Sequence, residues 1–165
     1  MNKLWFEKKS GVHGNGLFAS QNIKKGLKII EYIGDKVTKR EGDRRADKQL
    51  NKAIKNQNNG MVYIFELNKR YDIDGSVKYN HARLINHSCS PNCEVVIDNN
   101  EIWIFAIKKI KKNAELSYNY GYAYDEDYVD HTCKCGSSKC VGYILDEDHW
   151  LKLKKAKKKV IKSLI

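Results

Sequence analysis

The chain has 165 residues, of which 41% are hydrophobic and only one is proline. This length suits one hydrophobic core, and this composition excludes a disordered or collagen-like chain. No apolar run approaches the roughly 18 residues of a membrane span. Residues 1–10 lack the apolar segment of a secretory signal, so we expect an intracellular protein and leave cytoplasm and nucleus open.

The formal net charge is +11 and the sequence pI is about 9.3. Such a charge favours an acidic or polyanionic partner, including nucleic acid. Much of the lysine lies in runs at 108–112 and 154–159, and runs of this kind are often solvated surfaces. Charge therefore predicts a weak nucleic-acid contact and leaves the function open.

The first half of the chain is predicted to contain a buried strand followed by a helix. An apolar run at residues 29–33 reads as the strand. Thr38 and Glu41 are spaced as a capping box, and apolar residues at helical spacing continue to about Asn56. The helix is therefore expected between residues 38 and 56.

The middle of the chain is predicted to be rich in strands, which we place at residues 62–67, 71–74, 93–97, 102–107 and 115–120. Asp98, Asn99 and Asn100 separate two of these strands. Because these residues tolerate positive φ, they predict a tight hairpin.

The last 20 residues begin acidic and finish basic, which suits the dipole of a helix. Apolar residues of this segment recur at helical spacing and predict a face that docks onto the domain. They are Trp150, Leu153, Ala156, Val160 and Leu164.

The five cysteines indicate a metal site, since an odd number without a secretion signal does not suit a disulfide framework. Cys133, Cys135 and Cys140 lie within one short glycine-containing turn, as ligands of a structural zinc would. The fourth ligand has to come from Cys89 or Cys93. Four thiolates leave no open position on the metal, so the predicted zinc is structural.

Several motifs follow one another in a characteristic order. They are Gly14-Asn15-Gly16-Leu17-Phe18-Ala19, Glu31-Tyr32-Ile33-Gly34, residues 63–67 before Asp74, Arg83-Leu84-Ile85-Asn86-His87-Ser88-Cys89-Ser90-Pro91-Asn92-Cys93, Glu115-Leu116-Ser117-Tyr118-Asn119-Tyr120, and the cysteine cluster. From about Gly11 to Ile144, the series resembles the SET-domain methyltransferases with their post-SET zinc segment.

The resemblance implies a β-rich α+β fold. It consists of short sheets with a C-terminal pseudoknot-like threading, a post-SET zinc turn and a C-terminal helix. We expect an N-terminal lead at 1–10, a SET catalytic domain at 11–122, a post-SET zinc segment at 123–145 and a basic C-terminal helix at 146–165. A monomer is expected.

The resemblance also implies a protein-lysine N-methyltransferase that uses S-adenosylmethionine and holds one structural zinc. Its substrate would be a lysine of a histone or another basic, nucleic-acid-associated protein. The implied catalytic residues are Tyr120, Tyr32 and Tyr118. The implied cofactor-binding residues are Gly14, Asn15, Gly16, Leu17, Tyr63, Arg83, Asn86 and His87, and the implied zinc ligands are Cys89, Cys133, Cys135 and Cys140.

Three details refine this expectation. Tyrosine at position 118, where other members have phenylalanine, favours monomethylation, because its hydroxyl can hold a water where a methylated amine would rotate. Asp35 and Asn119 replace the family's usual glutamate and aspartate, and we expect altered tuning without loss of activity. No carboxylate or histidine stands out as a general base, so the substrate amine is expected to lose its proton through water.

Four acidic residues precede the zinc turn, where the family's peptide groove lies, and would attract a basic peptide. They are Asp125, Glu126, Asp127 and Asp130. Two rival readings stay open at this point. One is a non-catalytic zinc-containing module that binds nucleic acid or peptide, and the other is a SET scaffold without activity.

Overall fold

The computed structural model describes residues 3–55 and 62–155. Within these residues, ten short strands form four small sheets and one longer α-helix lies beside one of them. The elements are β1 (Trp5–Lys9), β2 (Asn15–Ala19), β3 (Lys28–Glu31), β4 (Asp35–Thr38), α1 (Lys39–Lys55), β5 (Ile64–Glu66), β6 (Tyr71–Asp74), β7 (Asn86–His87), β8 (Cys93–Asp98), β9 (Glu101–Ala106) and β10 (Ser117–Tyr118).

Three of the four sheets are antiparallel. They have the strand orders β1-β2, β3-β9-β8 and β4-β6-β5. The fourth is a parallel pair of β7 and β10, which joins segments about 30 residues apart in the chain. The predicted β-rich α+β fold of short sheets is confirmed.

The predicted hairpin is present as β8 and β9. Asn99 and Asn100 form its turn with φ values of 49° and 61°, the left-handed backbone that two-residue hairpin turns require. The strands stay in register from Cys93 opposite Ala106 to Asp98 opposite Glu101. Local turn chemistry is thus sufficient to specify this pair.

Helix α1 begins directly after Thr38, as the capping pattern predicts. The backbone N–H of Glu41 donates to Thr38 Oγ1 at 3.4 Å. The Glu41 carboxylate accepts hydrogen bonds from Arg44 and Arg45 in the next turn. The helix packs mainly against β6, so it closes one side of the β4-β6-β5 sheet.

The buried apolar residues form three clusters. The main core lies between β2, β3, β8, β9 and β10 and contains Leu17, Ala19, Ile23, Ile29, Ile85, Cys93, Ile104, Ala106, Ile110, Leu116 and Tyr118. A second cluster surrounds Tyr32, Leu67, Ala82 and Ile102. The third contains Cys89, Val141, Leu145 and Leu153 and attaches the C-terminal segment to the domain.

The structure differs from the sequence-based expectation in two strands. Residues 5–9 of the expected lead form strand β1, because every residue pairs with β2. The strand expected at 115–120 is reduced to Ser117–Tyr118. Its beginning makes only a single bridge, between Phe18 and Glu115.

The expected C-terminal helix starts with a 3₁₀ turn at Glu147–His149 and continues as α-helix over 150–155. Leu153 is buried and Trp150 packs against the third cluster, so the docking face is confirmed for these two residues. Ala156, Val160 and Leu164 lie outside the described residues. No helix in the described part of the chain has the length and apolar character to cross a membrane.

Candidate active site

A cavity of about 450 Å³ lies at the meeting point of the β7–β10 pair, the segment before β2 and the segment at 130–134. Nine of the residues predicted for catalysis or cofactor binding line it: Gly14, Asn15, Tyr32, Tyr63, Arg83, Asn86, His87, Tyr118 and Tyr120. The fold thus brings together residues from five separate motifs.

The parallel pair of β7 and β10 is responsible for much of this convergence. Asn86 lies opposite Ser117 and His87 lies opposite Tyr118. The backbone N–H of Ser88 donates to the Tyr118 carbonyl at 3.1 Å and continues the pairing. Side chains of the two predicted motifs therefore project from adjacent backbones.

Tyr120 is held at both ends. Its hydroxyl donates to the Ile85 carbonyl at 2.9 Å, and its backbone N–H donates to His87 Nδ1 at 3.2 Å. The rings of Tyr120 and His87 meet edge to face, with centroids 5.4 Å apart. These contacts leave the phenol little rotational freedom.

The tautomer of His87 follows from its contacts. Burial lowers the pKa of His87 to about 4, so the imidazole is neutral at pH 7. Because Nδ1 accepts a hydrogen bond, the proton is on Nε2, which lies 3.5 Å from Cys89 Sγ. His87 therefore contacts Tyr120 through one nitrogen and a predicted zinc ligand through the other.

The predicted catalytic tyrosines form an aromatic wall in which Tyr32 and Tyr118 are buried and Tyr120 is half-buried. Tyr118 and Tyr120 have ring centroids 5.0 Å apart, and the Tyr32 hydroxyl donates to the Tyr63 carbonyl at 2.9 Å. Burial, with a further contribution from neighbouring phenols, raises the pKa of Tyr32, Tyr118 and Tyr120 well above the usual value. All three phenols are protonated at neutral pH.

Asn86, which also lines the cavity, is fixed by polar contacts with His13 and Glu115. Its amide Nδ2 donates to Glu115 Oε1 at 2.8 Å and to the His13 carbonyl at 3.3 Å. Ser10 Oγ donates to the same Glu115 oxygen at 2.7 Å. A Cβ at Gly16 would collide with this Glu115 carboxylate, so a larger residue there would have to displace the carboxylate from its contacts with Ser10 and Asn86.

Gly16 and Leu17 hold a different position from the other predicted cofactor residues. Neither is among the described residues that line the cavity. Gly16 packs behind Asn86, and the Leu17 side chain is fully buried in the main core. Both residues support the cavity wall from behind.

Arg83 contributes a positive charge to the cavity wall. Its guanidinium lies 5.4 Å from the Tyr63 ring centroid, while its Nε is buried and has no hydrogen-bond acceptor among the described residues. The charge of the guanidinium suits a ligand with an anionic or acceptor group.

The sulfur atoms of Cys89, Cys133, Cys135 and Cys140 all lie within 4.8 Å of one another. Cys89 Sγ is 3.7 Å from Cys133 Sγ and 4.0 Å from Cys140 Sγ. Tetrahedral zinc with bonds of about 2.3 Å separates its sulfurs by about 3.8 Å. The four thiols could hold a zinc in a closed site, and Cys89 is the cysteine from the middle of the chain that lies in this cluster.

A model of the SET domain matches residues 14–121 of this chain. The chain belongs to the SET-domain family. Its relatives include histone-lysine N-methyltransferases named as H3 lysine-4 specific, from Aspergillus oryzae (36% identical over 141 residues, 82% of this chain and 11% of the relative) and Schizosaccharomyces pombe (36% over 139 residues, 82% and 14%). Histone-lysine N-methyltransferase set-2 of Caenorhabditis elegans is 34% identical over 154 residues, which are 87% of this chain and 10% of the relative.

This SET domain therefore spans about a tenth of the length of these relatives.

Cys93, the alternative zinc ligand, is in the main core of the SET domain. Its Sγ donates to Asn92 Oδ1 at 3.3 Å. Its environment is that of a buried structural cysteine.

The two departures from the usual family residues are satisfied locally in this SET domain. Asn119 Oδ1 accepts a hydrogen bond from the backbone N–H of Gly121 at 3.1 Å. Asp35 is 3.0 Å from Arg45 of helix α1. Neither side chain is among the described lining residues of the cavity, and their effect on activity stays a prediction.

Sequence reasoning missed several residues that line the cavity, among them His13, Phe65, Tyr122 and His131. Tyr122 could have been found, because it continues the two-residue spacing of Tyr118 and Tyr120 in the sequence. The Tyr120 and Tyr122 centroids are 5.9 Å apart. His13 and His131 carry no local pattern that points to the cavity.

Proposed function

We propose that this SET domain is a protein-lysine N-methyltransferase that takes its methyl group from S-adenosylmethionine. The observation that carries the proposal is the single cavity lined by Asn86 and His87 together with Tyr32, Tyr118 and Tyr120. Methyl transfer requires donor and amine to meet in one water-poor space, and a convergence of both residue sets in one cavity supports that requirement.

The donor would be held by Gly14, Asn15, Tyr63, Arg83, Asn86 and His87, with Gly16 and Leu17 behind them. Support comes from the positive charge of Arg83, which lines the cavity and suits the carboxylate of the donor's amino-acid end. Backbone groups beside His87 can read an adenine edge. When bound, S-adenosylmethionine supplies a methyl group on a positively charged sulfur.

The acceptor lysine would lie between the phenol rings. Its aliphatic stem can pack on the faces of Tyr32, Tyr118 and Tyr120, while hydroxyl and carbonyl oxygens orient the amine. The hydroxyls of Tyr120 and Tyr32 are already fixed by the Ile85 and Tyr63 carbonyls. The protein therefore needs little rearrangement to align the nitrogen with the methyl carbon.

The amine first loses a proton to water, because the buried phenols are themselves protonated and cannot accept it. An apolar channel beside a positive sulfur lowers the pKa of the bound ammonium through desolvation and like-charge repulsion. The nitrogen then donates its electron pair to the methyl carbon as the carbon–sulfur bond breaks. The products are a methylated ammonium and a neutral thioether.

Zinc would be held by Cys89, Cys133, Cys135 and Cys140 and would supply structural stability only, since four thiolates leave no position for a substrate. Cys89 follows His87 by two residues. The metal site therefore attaches the post-SET segment next to the cavity, where Asp130, His131 and Lys134 complete the lining.

The proposed substrate is a lysine in a histone or another basic protein that associates with nucleic acid. Asp125, Glu126, Asp127 and Asp130 are exposed, and Asp130 also lines the cavity. This local acidity in a chain of net charge +11 suits a basic peptide. We further propose that Tyr118 limits the product to monomethyl-lysine and that the protein acts as an intracellular monomer.

A non-catalytic zinc-containing binding module is the rival class of function, and it is not favoured. Such a module has no need of three buried phenols around a cavity. An inactive SET scaffold would share the cavity, so only an assay of the reaction separates it from an enzyme.

The test is transfer of labelled methyl from S-adenosylmethionine to a mixture of histones and whole-cell proteins, with mass spectrometry to identify methylated lysines. We expect lysine methylation on basic proteins. Binding of S-adenosylmethionine without any transfer would favour the inactive scaffold. Absence of both binding and transfer, with zinc content and folding intact, would contradict the proposal.

A further inference from the structure

Two lysine-rich segments that lie more than 80 residues apart in the chain meet on one surface. Ile23 and Ile110 form an isolated antiparallel bridge with backbone N–H···O distances of 2.8 and 2.9 Å. Both isoleucines are buried in the main core. The lysines that flank them are all exposed, and we call them the lysine patch: Lys24, Lys25, Lys108, Lys109, Lys111 and Lys112.

The backbone under the lysine patch is held by further long-range hydrogen bonds. Lys112 N–H donates to Asn22 Oδ1 at 3.0 Å, and Asn113 N–H donates to the Ala19 carbonyl at 2.8 Å. Gly26 N–H donates to the Ala106 carbonyl at 2.7 Å. The patch is therefore preorganised, and a ligand would have to order only the lysine side chains.

The charge of the lysine patch is not neutralised within the part of the chain that the structure describes. The ion pairs found there use Lys39, Arg44, Arg45 and His81, and none uses a lysine of the patch. Six like charges on adjacent backbones repel one another. A polyanion would relieve that repulsion and release its own counterions.

The composition of the patch indicates which polyanion fits. Residues 22–27 and 107–113 contain no aromatic side chain, whereas proteins that bind single strands stack bases on aromatic rings. They contain no acidic residue either. Lysines alone contact phosphates without reading bases, so the expected ligand is the backbone of a duplex.

We propose that the lysine patch binds the phosphate backbone of duplex nucleic acid. None of its residues is among those described as lining the cavity, so the lysine patch and the cavity use different residues. One consequence rests on the proposed function: a protein substrate bound to the same duplex is methylated faster than the free protein.

The test measures the affinity of the full chain for a fluorescent 20-base-pair DNA by anisotropy at several salt concentrations. Four to six phosphate contacts predict a slope of log K against log[salt] of about −3.6 to −5.4. The double variant Lys109→Gln with Lys112→Gln should reduce the magnitude of this slope by about 1.8, or 0.9 per lost contact. The matched control, Lys48→Gln with Lys52→Gln, removes the same charge from exposed positions of helix α1 and should leave the slope unchanged.

Equal losses in the two double variants would overturn the proposal, because binding would then depend on net charge and not on the patch. Tighter binding of an acidic polypeptide of equal charge than of DNA would also overturn it. Methylation of a short free peptide should be the same in wild type and in both variants. If neither the wild type nor either variant methylates that peptide, while only the patch variant loses DNA affinity, the proposed function fails. The proposal that the lysine patch binds duplex nucleic acid is then still supported.

Discussion

Tyr120 shows how single hydrogen bonds prepare this site. The contacts of its hydroxyl with Ile85 and of its backbone with His87 exist without any ligand. They fix the phenol against a wall made by Tyr118 and Tyr32. If this wall orients the amine, the hydroxyl contributes to the rate more than to the binding of the methyl donor.

We therefore expect Tyr120→Phe to lower kcat by about 10²- to 10³-fold, the usual effect of losing one preorganised polar contact to a transition state. The Kd of S-adenosylmethionine should change by less than about threefold, since ring packing is kept. Labelled-methyl transfer and calorimetry give the two numbers. Tyr124→Phe, which alters a tyrosine stacked on Tyr128, is the control and should keep full activity; equal labelling by wild type and Tyr120→Phe would remove Tyr120 from its role.

Tyr118→Phe tests the proposed limit on product. Tyr118 is buried, lines the cavity and is protonated. Its hydroxyl can hold a water in the space that a methylated amine would need, and phenylalanine frees that space. We expect dimethyl- and trimethyl-lysine to appear in the mass spectrum of a peptide that wild type only monomethylates. A product distribution unchanged by the substitution would show that Tyr118 does not set it.

Most residues of the candidate site could be predicted from the sequence, because they belong to motifs that follow one another along the chain in a characteristic order. Asn86, His87 and Tyr120 lie in two such motifs and line the same cavity. Gly16 and Leu17 belong to an equally clear motif but lie behind the wall, since Gly16 packs against Glu115 and Leu17 is buried in the main core. A motif thus indicates which segment forms a site, and the backbone decides which side chains face it.

At the scale of elements, the post-SET segment depends on its cysteines. Val141, Leu145 and Leu153 are buried around Cys89, but this cluster is small, and a zinc site would supply much of the stability of such a segment. Loss of the metal would also disturb His87, whose Nε2 contacts Cys89 Sγ.

We expect Cys135→Ser to reduce zinc from about one per chain to a small fraction, because one of four thiolates is lost. The melting temperature should fall, and the affinity for S-adenosylmethionine should fall with it. Metal analysis, thermal unfolding and calorimetry measure the three effects. Cys93→Ser is the matched control. Cys93 lies in the main core and outside the four-cysteine cluster, so this variant protein should keep its zinc. Unchanged metal in Cys135→Ser would refute the ligand set.

Helix α1 is attached to the β4-β6-β5 sheet by ionic contacts. Burial would raise the pKa of Asp74, but hydrogen bonds from Arg45, Ser76 and Gln49 outweigh it and leave the pKa below its ordinary value of 3.8. Gln49 also accepts the backbone N–H of Tyr63 at 2.8 Å. The helix therefore supports a residue that lines the cavity.

A depressed pKa contributes stability that is present above pH 3.8 and is lost as the pH falls through the lower folded-state value. We expect Arg45→Gln to destabilise the protein at pH 7 by about 1.5–3 kcal/mol, the range for a hydrogen bond to a charged group. The difference from wild type should shrink as the pH falls below about 4. Urea unfolding at pH 7 and pH 3 measures it. The control is Arg44→Gln, since the ion pair of Arg44 among the described residues is with Glu41 and not with Asp74. A pH-independent difference would exclude Asp74 as its source.

Elements with strong local signals were predictable, and those formed by pairing alone were not. The capped helix α1 and the β8–β9 hairpin with its two asparagines agree closely with expectation. Strand β1 lacks alternation of apolar and polar residues and has little burial, and it is a strand only because β2 pairs with it. The two-residue strands β7 and β10 likewise depend on each other.

At the scale of the whole molecule, the fold joins distant segments around one cavity. Lining residues extend from Val12 to Ile144, and the parallel β7–β10 pair between them has no local signal, because parallel partners are far apart in sequence. The convergence could be expected only from the family resemblance. Composition and periodicity alone would have led to a small zinc-containing domain with a basic surface.

The assembled cavity predicts the pH dependence of the whole reaction. The pKa values of Tyr32, Tyr118 and Tyr120 are raised, first by burial, so these phenols keep their protons at pH values where free tyrosine, with a pKa of about 10, begins to lose them. The substrate amine must instead be neutral, and its neutral fraction rises with pH. We expect kcat to rise between about pH 6 and pH 9 in a single ascending limb, with no descending limb up to about pH 10.

Initial rates on a lysine peptide at saturating S-adenosylmethionine, over a pH range in which the fold is intact by circular dichroism, measure this profile. The pH profile of Tyr120→Phe should have the same shape as that of wild type, at a lower rate, because the Tyr120 phenol of wild type does not titrate in this range. A descending limb near pH 9 that is absent from Tyr120→Phe would mean that Tyr120 ionises during turnover. In that case the phenol could act as an acid or base, and proton loss through water would no longer be required.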